Sequence, residues 1–137
     1  MTKSNRDLVV DNLLAFDRFA YDDIADDYAE DGVLHFMQKE PVIGREAIRA
    51  FMKQQFAAIS NTRIEIHEVY EVGDTVIVER TDHYEYEGHP VSCPICNVTT
   101  IQGGEIVLWN EYWDQKFSAD QVVAGMKAAK AAGGSGS

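Results

Sequence analysis

Apolar residues recur along this chain with two different periods, and the change of period divides it. From Asp7 to Phe19 they fall at Leu8, Val9, Leu13, Leu14, Phe16 and Phe19, the spacing of an amphipathic helix. A shorter helix is predicted from Asp22 to Tyr28, with Ile24 and Ala25 inward and Gly32 as the stop after Ala29-Glu30-Asp31. Val33 to Met37 and Pro41-Val42-Ile43 read as short extended pieces. Gly44-Arg45-Glu46 opens a third helix running to about Ala58, with Ile48, Phe51, Met52 and Phe56 on one side. Beyond it the period falls to two. Arg63 to Val72, Thr75 to Tyr86, Val91 to Gln102 and Glu105 to Phe117 read as four strands. Gly73-Asp74, Glu87-Gly88 and Gly103-Gly104 supply the turns between them. Ser118-Ala119-Asp120-Gln121 has the form of a capping box and would open a last, Ala-rich helix.

Helices followed by a long meander give an α+β plan. The expected architecture is a curved antiparallel sheet forming a cone, with three N-terminal helices closing a hydrophobic pocket. A chain of 137 residues suits one domain with a real core. Residues 1–132 are taken as that single domain and residues 133–137 as a linker or tag remnant. No apolar run approaches the roughly 18–20 residues of a membrane span. The opening Met1-Thr2-Lys3-Ser4-Asn5-Arg6 has no apolar stretch behind it that resembles a secretion signal, so a cytoplasmic setting is expected.

Charge narrows the possible partners. Twelve Lys and Arg against 23 Asp and Glu leave a formal net charge of −11. That balance opposes binding to nucleic acid, which depends on neutralising phosphates, and to anionic membranes. Asp22-Asp23, Asp26-Asp27 and Glu30-Asp31 carry much of the excess and read as a solvated face. The two cysteines stand as Cys93-Pro94-Ile95-Cys96. Zinc would need two further ligands at suitable spacing, and no second cysteine pair exists. In a strand, the three-residue offset sends the two sulfurs to opposite faces. His35, His67, His83 and His89 are scattered and form no metal set, and no cofactor is expected.

Two strand segments carry the candidate chemistry. In Val76-Ile77-Val78-Glu79-Arg80-Thr81-Asp82, alternation turns Arg80 and Asp82 to one face. In Trp109-Asn110-Glu111-Tyr112-Trp113, it turns Trp109, Glu111 and Trp113 to one face. If those faces meet inside the cone, two carboxylates and a guanidinium share an aromatic-walled cavity. Buried charges are costly unless paired, so such a cluster is either a structural ion triad or a site. Tyr84 and Tyr86 share the parity of Asp82, and one of them could donate to a substrate oxygen. His35 is a further candidate base.

These segments, with Tyr28-Ala29-Glu30-Asp31, Gly44-Arg45-Glu46-Ala47-Ile48 and Gly104-Glu105-Ile106, resemble the nuclear transport factor 2-like, or SnoaL-like, superfamily. Within it the chain most resembles the limonene-1,2-epoxide hydrolase family. The resemblance spans roughly residues 8 to 117. It implies a cone-shaped fold, a homodimer and a cofactor-free hydrolase in which Arg80, Asp82 and Glu111 are catalytic. Glu111 stands where the family has Asp. Asp82 is expected to be the base, ionised by Arg80, and Glu111 the acid. The resemblance further implies that Leu34, Phe36, Cys93, Ile95, Trp109 and Trp113 line a pocket for a hydrophobic small molecule. Leu34 and Phe36 occupy the places of a water-holding Tyr and Asn. That departure favours a competing reading, an isomerase, dehydratase or cyclase acting on a ketone or polyketide-like substrate. A non-catalytic small-molecule-binding module is the third.

Overall fold

The computed structural model describes residues 3–134. Its elements run α1 (Asn5–Leu14), a 3-10 turn (Ala15–Arg18), α2 (Tyr21–Asp26), β1 (Tyr28–Phe36), β2 (Val42–Ile43), α3 (Arg45–Gln55), β3 (Ile59–Val72), β4 (Thr75–Tyr86), β5 (His89–Gln102), β6 (Glu105–Trp113) and α4 (Gln115–Gly134). The linker expected over 133–137 begins on the last residues of α4 and otherwise lies outside the described residues. Among the described residues, no helix is long and apolar enough to cross a membrane.

The strands form one six-stranded sheet in the order β2-β1-β6-β5-β4-β3. The four long strands β3 to β6 are the expected antiparallel meander. β1 then joins β6 in parallel, with Leu34 beside Trp109 and Phe36 beside Glu111. The core joins helix positions that periodicity marked, Val9, Leu13, Ile24, Ile48 and Met52, to residues of the sheet. Val9, Leu13, Ile24, Ile48, Met52, Val76, Val78 and Ile106 are all buried in one cluster.

Two of the boundaries that differ from expectation do so for identifiable reasons. The segment around Glu30-Asp31-Gly32 does not end a helix; it belongs to β1. Gly32 is there because β1 passes close to β6: a Cβ at this position would lie 2.8 Å from the Ile106 carbonyl oxygen. At the other end, β6 stops at Trp113 and α4 starts at Gln115. The Asp114 carboxylate accepts the Phe117 N–H at 3.0 Å, so it caps the helix before the expected box at Ser118 is reached. Gln121, expected inside that box, does something else. Its side-chain amide accepts from Ser92 N–H and donates to Ser92 C=O, both at 2.8 Å, and so pins α4 to β5. Gly44, in contrast, opens α3 as expected, with φ of 101°, a conformation that favours glycine.

Candidate active site

The bent sheet, the aromatic ends of the N-terminal helices and the start of α4 enclose a cavity of about 540 Å³. Phe16 and Tyr21 come from the N-terminal segment, Phe56 from the end of α3, and Ile59 and Ile64 from β3. Phe16, Tyr21 and Phe56 pack against one another, with Phe16 and Phe56 edge-to-face at 5.6 Å. Phe36 meets Trp113 edge-to-face at 5.1 Å. The wall is therefore mainly aromatic and aliphatic.

One charged cluster breaks that apolar surface. Arg80 and Asp82 face inward from β4, and Glu111 faces inward from β6. The strand between them, β5, sets Cys93 beside Asp82, Ile95 beside Arg80 and Asn97 beside Glu111. Arg80 is only 4% exposed. Its Nε donates to Asp82 Oδ1 at 2.9 Å and its Nη2 to Glu111 Oε1 at 2.7 Å. A longer contact of 3.3 Å joins Nη2 to Asp82 Oδ2. The remaining Nη1 donates to the side-chain oxygen of Asn97. Asn97 is fully buried, and its amide nitrogen donates to Thr99 Oγ1 at 2.9 Å, which fixes the amide orientation. Glu111 Oε1 also accepts from Trp109 Nε1 at 3.0 Å. A planar guanidinium with all its edges engaged is rigid, and it spans two carboxylates held on separate strands.

Burial works against the charge on Arg80, but Asp82 and Glu111 together outweigh it and keep the guanidinium protonated. Asp82 behaves otherwise than expected. Burial raises its carboxyl above the ordinary range, and the pull of Arg80 does not cancel that. Burial likewise pushes the Tyr84 phenol up to about 12 and raises the Cys93 thiol, which disfavours a thiolate.

Of the residues expected to line the cavity, Phe36, Cys93, Ile95 and Trp113 do, and so does Tyr84. Leu34 and Trp109 do not: both are 2% exposed and belong to the core, where Trp109 serves as a donor to Glu111. His35 has the opposite parity to Phe36 and turns away, its Nε2 meeting the Lys39 carbonyl at 3.0 Å. The two cysteines face opposite sides of the sheet, as alternation requires: Cys93 lines the cavity, while Cys96 borders a shallow depression on the other face with His67 and Tyr112. Two contributors escaped the sequence reading. Asn97 shares the parity of Cys93 and Ile95, a usable signal. The α4 face of Ser118, Ala119, Val122, Val123 and Met126 completes the wall, and nothing local in an Ala-rich helix says what it covers.

A six-stranded curved sheet wrapped around an apolar cavity, with a buried charged cluster on its inner wall, is the frame of the site. The chain belongs to the SnoaL-like domain family, whose model matches residues 9–109. No protein with a curated description matches it. Among solved structures it is similar to an M. tuberculosis LEH-like epoxide hydrolase, at 21% identity over 91% of this chain and 93% of that one, with a TM-score of 0.79. It is similar also to a protein described as a SnoaL-like polyketide cyclase from Shewanella denitrificans, at 15% identity over 88% and 97% of the two chains, with a TM-score of 0.80. A third is SalBIII, described as an epoxide hydrolase/cyclase-like enzyme in pyran ring formation, at 18% identity over 82% and 92%, with a TM-score of 0.72. At these identities the likeness shows the fold.

Proposed function

We propose that the chain is a cofactor-independent enzyme that adds water to an epoxide on a hydrophobic substrate, with Arg80, Asp82 and Glu111 as its catalytic residues. The observation that carries this reading is the buried Arg80, which donates to Asp82 and Glu111 together on the wall of an otherwise apolar cavity. A purely structural ion triad has no need to face a cavity. Our reading reverses the roles expected for the two acids. Burial favours the protonated form of Asp82, which suits it to give a proton to the leaving epoxide oxygen. Glu111 Oε1 accepts two N–H bonds, from Arg80 and Trp109, as a carboxylate oxygen does. Its Oε2 has no hydrogen-bond partner among the described residues, and Glu111 lines the cavity. We assign Glu111 as the base. Water attacks an epoxide carbon and loses its proton to Glu111, the C–O bond breaks, and the oxygen takes the Asp82 proton to complete a diol. A proton then passes from Glu111 to Asp82 through solvent and resets the site.

A second reading is favoured by what surrounds the reacting position. β1 offers no polar group there, since Phe36 lines the wall, Leu34 is in the core and His35 faces away. An isomerase, dehydratase or cyclase moving a proton within a ketone or polyketide-like substrate needs no held water. Turnover in ¹⁸O-labelled water decides between them: hydrolysis places one solvent oxygen in the product, and isomerisation places none. Under either reading Asp82→Asn and Glu111→Gln each lower kcat by about 10²–10⁴-fold. A third reading, a non-catalytic small-molecule-binding module, predicts that both variants retain every function. The expected homodimer and cytoplasmic setting belong to this proposal, and light scattering of the purified chain tests the first.

A further inference from the structure

Behind the charged cluster stands a polar pair that does not line the cavity. Asn97 and Thr99 follow Cys93 and Ile95 on the inward face of β5, and both are fully buried. Across the sheet they face Val78 and Val76 on β4, and Glu111 and Trp109 on β6. Apart from Glu111 that setting is apolar core, where an aliphatic pair would pack without any polar cost. A buried amide and hydroxyl persist there only if their bonds are made. Asn97 Nδ2 donates to Thr99 Oγ1 at 2.9 Å, which turns Asn97 Oδ1 toward the guanidinium, where it accepts from Arg80 Nη1. Among the described residues it is the only partner of that nitrogen. Arg80 Nε and Nη2 go to the two acids instead. The three edges of the guanidinium are thus held unequally. Two rest on groups that can gain or lose a proton, and the third rests on one that cannot.

We propose that Asn97, oriented by Thr99, is a positioning residue: a neutral anchor that keeps the Arg80 guanidinium in one place whichever of Asp82 and Glu111 carries the proton. A guanidinium held by the acids alone would follow the charge, turning toward the ionised partner each time a proton crosses the site. Held also at Nη1, it presents the same two donors to both acids throughout. An amide suits this task because Asp would add a third charge that itself titrates, and Leu would offer no acceptor. The use of the anchor rests on the acid–base reading; the anchoring itself does not. Other titratable groups near Arg80 leave it undisturbed between pH 4 and pH 7. The Tyr28 phenol and the Cys93 and Cys96 thiols are raised by burial and stay protonated. Asp17 and Tyr84 face Asp82, and His67 and Glu79 lie on the opposite face of the sheet.

Nitrogen-15 NMR of the Arg80 guanidinium in the full chain, without ligand, tests it. Rotation about Cζ–Nη1 must break the bond to Asn97, and rotation about Cζ–Nη2 the bonds to the acids, so each nitrogen reports on its own partners. Nη1 rotation is expected to be slow in the unmodified chain and to stay within about twofold between pH 4 and pH 7, because its partner does not titrate. In Asn97→Leu it accelerates about tenfold or more, the worth of one charge-assisted hydrogen bond, while Nη2 rotation stays within about twofold. Thr99→Val is the gentler variant and keeps the test alive if Asn97→Leu does not fold. It frees the amide to pivot and accelerates Nη1 alone, by about threefold. Nη1 rotation as fast as that of exposed arginines, a rate that follows the titration of the acids, or a rate unchanged in the variants overturns the proposal. So does equal acceleration of both nitrogens, which would mean that the variants merely loosen the core. No turnover enters these readings. A locked Nη1 in a chain without activity would refute the acid–base reading and leave the anchor standing.

Discussion

At the scale of single residues, the ion cluster sets a pH dependence whose sign follows from Asp82. Its carboxyl is raised by burial despite Arg80. A group raised on folding contributes stability that is complete below its unfolded pKa and is lost as pH climbs through the folded one. The stabilising contribution of Asp82 is therefore full at the acid end of the carboxylate range and declines toward neutrality. Asn at this position cannot ionise, and its side-chain oxygen can still accept from Arg80 Nε. The stability of Asp82→Asn relative to the unmodified chain is thus expected to rise between pH 4 and pH 7, the other carboxylates cancelling in the difference. Urea unfolding of both chains at the two pH values measures it. A constant difference would mean that Asp82 titrates normally. The residues of this cluster were legible because strand period two is a strong local rule: it puts Arg80 with Asp82 and Trp109 with Glu111 from the sequence alone. The rule does not carry depth. It could not separate Trp113, which reaches the cavity, from Trp109, which stops in the core and holds Glu111 instead. Nor could it rank burial against the pull of Arg80, on which the proposed exchange of acid and base roles rests.

At the scale of elements, the least legible part is the parallel pairing of β1 with β6. The meander announces itself through three glycine turns, each joining neighbours in sequence. The β1–β6 contact joins segments more than seventy residues apart, and local pattern has no access to it. The acidic run before Gly32 therefore read as the frayed end of a helix. Gly32 is the residue that makes the pairing possible. A methyl group there would sit 2.8 Å from the Ile106 oxygen and 3.1 Å from the Ala29 oxygen. Both are main-chain atoms of strands, and neither can swing aside as a side chain would. Gly32→Ala is expected to destabilise the chain by about 1–3 kcal/mol, the usual cost of forcing extra volume into a packed site. The entropy advantage of alanine over glycine in the unfolded state offsets less than about 1 kcal/mol of that. Thermal unfolding of the variant is the check. An unchanged or higher Tm would show that β1 and β6 can separate at this point.

At the scale of the whole molecule, the cavity is closed from two sides of very different strength. The N-terminal helices merge with the main core through Leu13, Ile24, Ile48 and Met52. α4 instead is held to β5 by the Gln121 amide on Ser92 and by Ser118 on Cys93, and its Val123 and Met126 remain partly open to solvent while lining the cavity. Elements with few buried apolar contacts open at low free-energy cost. The amides of α4 are expected to exchange with deuterium well before those at the centres of β4 and β5. A ligand that fills the cavity touches α4 and the sheet at once, so it binds the closed form and not the opened one. At a concentration 100 times its Kd it should slow exchange in α4 by about a hundredfold, equivalent to about 2.7 kcal/mol. Undecan-2-one, an apolar molecule with one oxygen for the charged cluster, serves as the probe and hydrogen exchange read by mass spectrometry as the measurement. Slowing confined to the strands would mean that ligand enters without engaging α4, and the closing wall would then be the aromatic cluster of Phe16, Tyr21 and Phe56 alone. Slowing in α4 would make this last helix the moving side of the site, an assignment that its composition of alanine and lysine gives no local reason to expect.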